Sequence, residues 1–360
     1  MSSLNTDTPA AWVASDLQAD KGWIYRLAPD EQAGLLDAVR RARVAGKPLI
    51  AYGRADFALD RWLGTLRAAF GQARGGRGLA LVKGLPRQGV SAAEFELLTW
   101  AIGLHMGVAR PQGKASQYLS TVKNAGGDYR TATGRGYSSN AELDFHTDGA
   151  DVVVLSCYNA ARSGGVSMCT SSVTAFRTIE QERPDLAAIL LQPLAFSRQG
   201  EEAPGEPPFV TYPVFGIEDG LVFGKWVRNR FENAARMPEA PSPTAQQRAA
   251  VDFLDEVVRR KPLMFSMTLE PGDVQILNTH VTLHSRTQFE DFEEDERKRL
   301  LYRLWLSTPD APRLPQGWRQ PYGSVEPGVV RGGSKGHQYD DACRAFDRRQ
   351  AEAMGMRLPA

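Results

Sequence analysis

The chain has 360 residues, 42% of them hydrophobic and 24% charged, the balance of an ordinary globular protein able to bury a core. Lysines and arginines number 43 against 42 acids, so no whole-chain field draws it to nucleic acid or anionic lipid. Three cysteines, Cys157, Cys169 and Cys343, form no CxxC pair, which excludes a disulfide framework and a cysteine-rich zinc site and fits a reducing compartment.

The N-terminal stretch lacks the basic segment and apolar run of a secretory signal. The most apolar window, Leu186 to Phe196, is broken by Gln192 and Pro193 and falls short of the roughly 18 residues that span a bilayer. A cytoplasmic protein with a small-molecule partner is expected, without nucleic acid or membrane; a homo-oligomer is left open.

Leu, Val and Ala recur at helical spacing over Glu31–Ala45 and Phe57–Ala73, which predicts peripheral helices ending at Gly46 and Gly75. Residues 1–77 are therefore read as a helical elaboration. A short strand, Leu79–Val82, precedes a helix opened by the capping box Ser91-x-x-Glu94, with Phe95, Leu98 and Ile102 on one face and Gly103 as its stop. Gly113 to Asn140 is rich in Gly, Ser, Thr, Asn and Tyr, and reads as a long loop or lid with a strand at Gln117–Val122.

Strand-like runs follow at Val152–Tyr158 and Val166–Ser171, around the turn Arg162-Ser163-Gly164-Gly165. Val173–Leu191 looks helical, Phe209–Phe215 and Leu221–Trp226 look extended, and the capping box Thr244-x-x-Gln247 opens an amphipathic helix. Strands resume at Leu263–Leu269, Asp273–Leu277, Val281–His284 and Leu300–Ser307. Residues 78–309 thus form a mainly β core with a helical insertion at about 172–260, and the Pro- and Gly-rich residues 310–360 are expected to wrap the surface of one compact unit. Short strands on both sides of a helical insertion suggest an α+β, antiparallel double-sheet barrel. No Gly-x-Gly-x-x-Gly or Walker loop stands between a strand and a helix.

Only five histidines occur, so each is weighed singly. In Asp144-Phe145-His146-Thr147-Asp148 an extended backbone puts His146 and Asp148 on one face and Thr147 on the other. A second histidine beside them completes a two-His, one-carboxylate face, which suits Fe(II) and leaves open positions. The tripeptide alone is short enough to arise by chance as a hydrogen-bonded pair. His280 and His284 compete as the second histidine; His284 follows the better strand, and His280 reads as a loop or supporting residue.

Arg299, Leu301, Arg303 and Trp305 share one face of the last strand. Two guanidinium groups on an apolar strand need anions when buried, from the protein or from a dicarboxylate ligand. The acidic run Glu290–Glu296 could pair with them, but it reads as a solvated loop because consecutive carboxylates repel.

The order His146-Thr147-Asp148, Gly164-Gly165-x-Ser167, Asn278 to Thr287, then Arg299-x-x-x-Arg303 resembles the TauD/TfdA-like (taurine dioxygenase) family of Fe(II)/2-oxoglutarate-dependent oxygenases, over roughly residues 78–307. The resemblance implies a double-stranded β-helix (jelly-roll) with peripheral helices. It implies iron ligands at His146, Asp148 and His284, with Arg299 gripping the distal carboxylate of 2-oxoglutarate beside Ser167. Arg303 matches a position that meets the substrate's acidic group in some members, and the lid offers Tyr118, Tyr137 and Asn140 as further contacts. The interval from His284 to the first arginine is longer than usual in the family, so Arg297 competes with Arg299; strand parity favours Arg299.

The implied activity is hydroxylation of an unactivated C–H bond in a small, acidic substrate, consuming O2 and 2-oxoglutarate and releasing succinate and CO2. Desaturation, cyclisation and cleavage would use the same site. A non-catalytic binding protein on this fold and a zinc hydrolase are the rival classes; the paired arginines weigh against zinc hydrolysis, which needs no dicarboxylate clamp.

Overall fold

The computed structural model describes residues 8–129, 131, 134 and 136–359. Alternation along the apolar strands organises two sheets. The larger has seven strands, in the spatial order Ile24–Arg26, Leu79–Lys83, Val274–Asn278, Val152–Asn159 and Leu300–Ser307, the last pairing at its far edge with both Val108–Ala109 and Leu119–Val122. Ile24–Arg26 and Leu79–Lys83 run parallel and the remaining pairs antiparallel, so the sheet is mixed. The smaller sheet orders Phe265–Met267, Ser167–Ser171 and Thr282–Arg286, all antiparallel.

Strand side chains alternate between faces, and each face has its own partner. Val152 and Val154, and Tyr302, Leu304 and Leu306, pack under the helices Pro29–Ala42, Gly64–Gly75 and Ala92–Met106. Val153 and Cys157, and Leu301 and Trp305, point inward, where Cys169 and Phe265 of the smaller sheet meet them. Each large apolar side chain removed from water in this way contributes roughly 1.5–3 kcal/mol.

Both capping boxes form: the Ser91 hydroxyl accepts from Glu94 N at 3.3 Å while the Glu94 carboxylate accepts from Ser91 N at 2.9 Å, and Thr244 with Gln247 does the same. Gly103 does not stop its helix, which runs on to Met106. A Cβ there would lie 2.0 Å from Leu304 Cδ2, so this glycine permits close approach of helix and sheet. The segment read as one helix over Val173–Leu191 is two, Ser172–Glu182 and Pro184–Leu190, because Pro184 lacks the N–H that would continue the first. With Ala245–Val258 they cover the smaller sheet, burying Phe176, Leu190 and Leu254 beside Leu283.

Residues 310–360 do not simply wrap the surface. Asp340 caps the helix Asp341–Ala353, whose Phe346 enters the core against Tyr118, ring centroids 4.8 Å apart. Arg331 is fully buried and donates to Asp151 at 2.7 Å and to the carbonyls of Val325 and Pro312. Cys343, Phe346 and Gln350 carry the helical spacing that the Pro- and Gly-rich composition around them masked. Among the described residues no helix is long and apolar enough to cross a membrane.

Candidate metal centre

His146 lies on an extended segment beside the Thr282–Arg286 strand. Its N–H donates to the carbonyl of His284 at 2.9 Å and its own carbonyl accepts from His284 N at 2.9 Å. This reciprocal antiparallel bridge sets the two residues directly opposite, with ring centroids 4.3 Å apart. Asp148, two residues on, joins them. Thr147 between turns the other way, and its hydroxyl accepts from Trp226 N at 3.2 Å. One ligand atom from each of His146, Asp148 and His284 falls within 4.8 Å of the others.

The donors suit a divalent cation. His146 Nδ1 stands 2.9 Å from the Asp144 carbonyl, which fixes the ring and leaves Nε2 as the free lone pair. Burial, with the neighbouring His146, pushes the pKa of His284 down to about 3, so its imidazole is neutral, as metal binding requires. Burial alone would raise the pKa of Asp148, but the net shift is downward, with the neighbouring Arg303 guanidinium the largest opposing influence. Its Oδ2 is buried, has no hydrogen-bond partner among the described residues, and lies 3.6 Å from His284 Nε2. Such a set resembles a two-His, one-carboxylate face for Fe(II).

Arg299 opens onto the same cavity, together with Ser167 and Gln275. Its guanidinium lies over the Phe289 ring, 4.9 Å from the centroid, and its Nη1 is buried without a partner among the described residues. Burial lowers its pKa to about 10, against the opposing influence of Cys157 and Asp291. Gly165 has φ +67°, and a Cβ there would sit 3.3 Å from Arg299 Nε, so glycine lets the turn pass the guanidinium. Ser167 Oγ is 2.9 Å from Nε2 of Gln275. Arg297, the competing arginine, is exposed and pairs with Glu294 at 3.2 Å.

The other expected contacts divide. Tyr137 lines the cavity. Tyr118 does not: packed on Phe346, it sends its hydroxyl to Asp347 at 2.8 Å, because the C-terminal helix offers a buried acceptor there. Asn140 is spent on the backbone of Phe289, donating from Nδ2 to its carbonyl at 3.3 Å and accepting its N–H at 3.1 Å. Arg303 reaches the cavity wall but gives its donors to the protein, to Asp148 Oδ1 at 3.3 Å and Gln112 Oε1 at 2.9 Å. Asp144, the acid two residues before His146, pairs with Arg259 at 3.2 Å. His280 lies in a turn outside the cavity, with Nε2 2.9 Å from Asp151.

Sequence reasoning missed Lys225, Arg230, Arg198 and Tyr212, which also line the cavity. One signal was available. Lys225 interrupts the apolar run Leu221-Val222-Phe223-Gly224-Lys225-Trp226, and a buried lysine needs an explanation.

Comparison with known proteins bears on this centre. The profile described as "Taurine catabolism dioxygenase TauD, TfdA family" matches residues 45–305. The chain is 28% identical over 309 residues to the FR-33289 synthase of Streptomyces rubellomurinus (strain ATCC 31215), covering 85% of this chain and 91% of that protein. It is 28% identical over 184 residues to a uridine-5'-phosphate dioxygenase of Amycolatopsis sp, covering 49% and 65%. Among solved structures, asparagine oxygenase with Fe(II), 2S,3S-3-hydroxyasparagine and succinate superposes with TM-score 0.57 at 20% identity, covering 79% of this chain and 94% of that one. The non-heme iron oxygenase OrfP with Fe, succinate and (3S)-hydroxy-L-Arg gives TM-score 0.58 at 15% identity, with the same coverage, and both likenesses concern the fold.

Proposed function

The chain belongs to the TauD, TfdA family of dioxygenases and is an Fe(II)- and 2-oxoglutarate-dependent oxygenase, and we propose that it hydroxylates an unactivated C–H bond of a small acidic substrate. The observation that carries this reading is the reciprocal His146–His284 bridge with Asp148 beside it, in one cavity with the under-used guanidinium of Arg299. We read the two facing sheets as the family's double-stranded β-helix, the bridge extending the smaller sheet by the His146 segment.

His146 Nε2, a carboxylate oxygen of Asp148 and His284 would hold the iron. Arg299 would take the distal carboxylate of 2-oxoglutarate in a planar fork, with the Ser167 hydroxyl beside it. When bound, iron and 2-oxoglutarate supply the oxidising chemistry: O2 is consumed, 2-oxoglutarate becomes succinate and CO2, and one oxygen atom enters the substrate. The chain contributes placement. Gln112 holds Arg303, which holds Asp148, the Asp144 carbonyl holds His146, and Trp305 and Tyr137 wall the cavity around them. The name of the uridine-5'-phosphate dioxygenase carries an anionic substrate, which supports an acidic one here.

Anaerobic addition of Fe(II) and 2-oxoglutarate to the protein tests the reading. A weak visible charge-transfer band in the wild type that is absent in Asp148→Ala is the expected result, followed by succinate release when a substrate panel is screened in air. A wild-type protein that binds iron and gives no band with 2-oxoglutarate would reject it.

A further inference from the structure

Lys225 is 7% exposed, follows the strand Leu221–Gly224 and lines the cavity that holds the metal centre. Its ammonium sits over aromatic rings, 4.3 Å from the Tyr322 centroid and 5.3 Å from that of Tyr212. No ion pair or hydrogen bond to its Nζ occurs among the described residues, and the charges acting on it are the repelling Arg230 and the more favourable Asp148. A buried ammonium without an anion is unfavourable in the unliganded protein, so the position is explained by a group that arrives.

Two further cations line the same cavity. Arg230 pairs with Glu201 at 3.1 Å. Arg198 has a buried Nε without a partner among the described residues, and its terminal nitrogen leans toward Glu206 at 3.7 Å on the rim. Both line the same cavity as Tyr212 and Lys225. Three cations from separate points of the chain therefore face one cavity. A planar carboxylate is best matched by one guanidinium fork, which the cavity already provides in Arg299. Three separate cations match instead a tetrahedral group with three oxygens, and a phosphorus oxyanion carries roughly two charges near neutral pH. Arg303, committed to Asp148 and Gln112, is the less available cation.

We propose that the substrate of this oxygenase ends in a phosphorus oxyanion, a phosphonate or a phosphate monoester, and that Lys225 with Arg198 and Arg230 receives it. The inference rests on the oxygenase reading for the statement that the bound molecule is the substrate. Lys225, Arg198 and Arg230 line the same cavity as His146, Asp148 and His284, so one bound molecule can reach both sets.

The test is calorimetric titration of the enzyme, loaded anaerobically with Fe(II) and 2-oxoglutarate, with propylphosphonate, propyl phosphate, propanesulfonate and butyrate. At least one phosphorus oxyanion is expected to bind about 10-fold or more tighter than the sulfonate and the carboxylate, and the tighter of the two identifies the source. Lys225→Met should lose roughly 30-fold of that affinity while keeping the charge-transfer band and a melting temperature no lower than wild type. Arg198→Gln should lose affinity in the same direction, and it decides the matter if Lys225→Met does not fold. Butyrate or propanesulfonate binding as tightly as the phosphorus oxyanions, no binding of either by wild type, or unchanged affinity in the variants would overturn the proposal. Absence of the band in wild type would reject the oxygenase reading, and the same titrations on the iron-free protein would still decide the anion site.

Discussion

Arg303 donates to Oδ1 of Asp148 at 3.3 Å and thereby turns Oδ2 of the same carboxylate toward Nε2 of His284, 3.6 Å away. The arginine orients the carboxylate of the proposed metal face through its second oxygen. Its removal leaves a buried carboxylate without a cation, and breaking one side of a buried pair costs about 3–5 kcal/mol, less where a side chain keeps some solvent as Arg303 does. Arg303→Ala is expected to lower the stability of the metal-free protein by roughly 2 kcal/mol, with a smaller loss when Co(II) or Mn(II) supplies the missing charge. Urea denaturation with and without the metal measures both; equal losses in the two conditions would deny the pairing its role.

The two buried histidines of the His284 region should respond differently. His146→Ala, Asp148→Ala and His284→Ala each remove a donor from the face and are expected to abolish measurable Fe(II) binding while the far-ultraviolet circular dichroism stays native. His280→Ala strips Asp151 of a partner shared with Arg331, so iron binding should persist and stability fall by about 1–3 kcal/mol. Iron lost in His280→Ala and kept in His284→Ala would reverse the assignment.

For 2-oxoglutarate the discriminating pair is Arg299 and Arg297. Arg299→Ala should weaken its binding by roughly 30-fold or more, and Arg299→Lys should not restore it because an ammonium lacks the planar fork. Arg297, exposed on Glu294, should be indifferent. Anaerobic titration followed by the visible band reads both.

Lys225 carries a pH signature. Burial, with Arg230 adding to it, lowers its pKa from the usual lysine value of 10.5 to about 7. Between these values the unfolded chain holds a proton that the folded chain has released, so folded-state stability rises with pH across that window. Below about 7 the folded protein carries the desolvated charge and the penalty is complete. Denaturation midpoints of wild type and Lys225→Met should therefore converge as pH climbs from 7 toward 10.5, with the variant the more stable at the low end. A difference that does not change with pH would mean the lysine is not desolvated.

Much of the proposed metal face was legible because it is encoded locally. In an extended chain the alternation of side chains is a property of the backbone, so His146 and Asp148 share a face whatever surrounds them, and so do Leu301, Arg303 and Trp305. The capping boxes at Ser91 and Thr244 were legible for the same reason, each being closed by a residue three positions away. What lies across the gap is not local. The bridge that sets His146 opposite His284 joins residues far apart in sequence, and no periodicity announces the partner.

Partners at long range decided the rest. Tyr118 and Asn140 sit in a stretch whose composition suits a lid, yet Asp347 from the C-terminal helix and the Phe289 backbone claim them. Arg303 could have met a substrate or an acid, and closure of the sheets brought it Asp148. Lys225, Arg198 and Arg230 lie apart in sequence, and only folding brings them to line one cavity. The sequence by itself determined which side chains could point together, because that follows from backbone geometry over a few residues. Tertiary structure alone decided which charges meet, because a buried charge takes its neighbour from whichever distant segment packs against it.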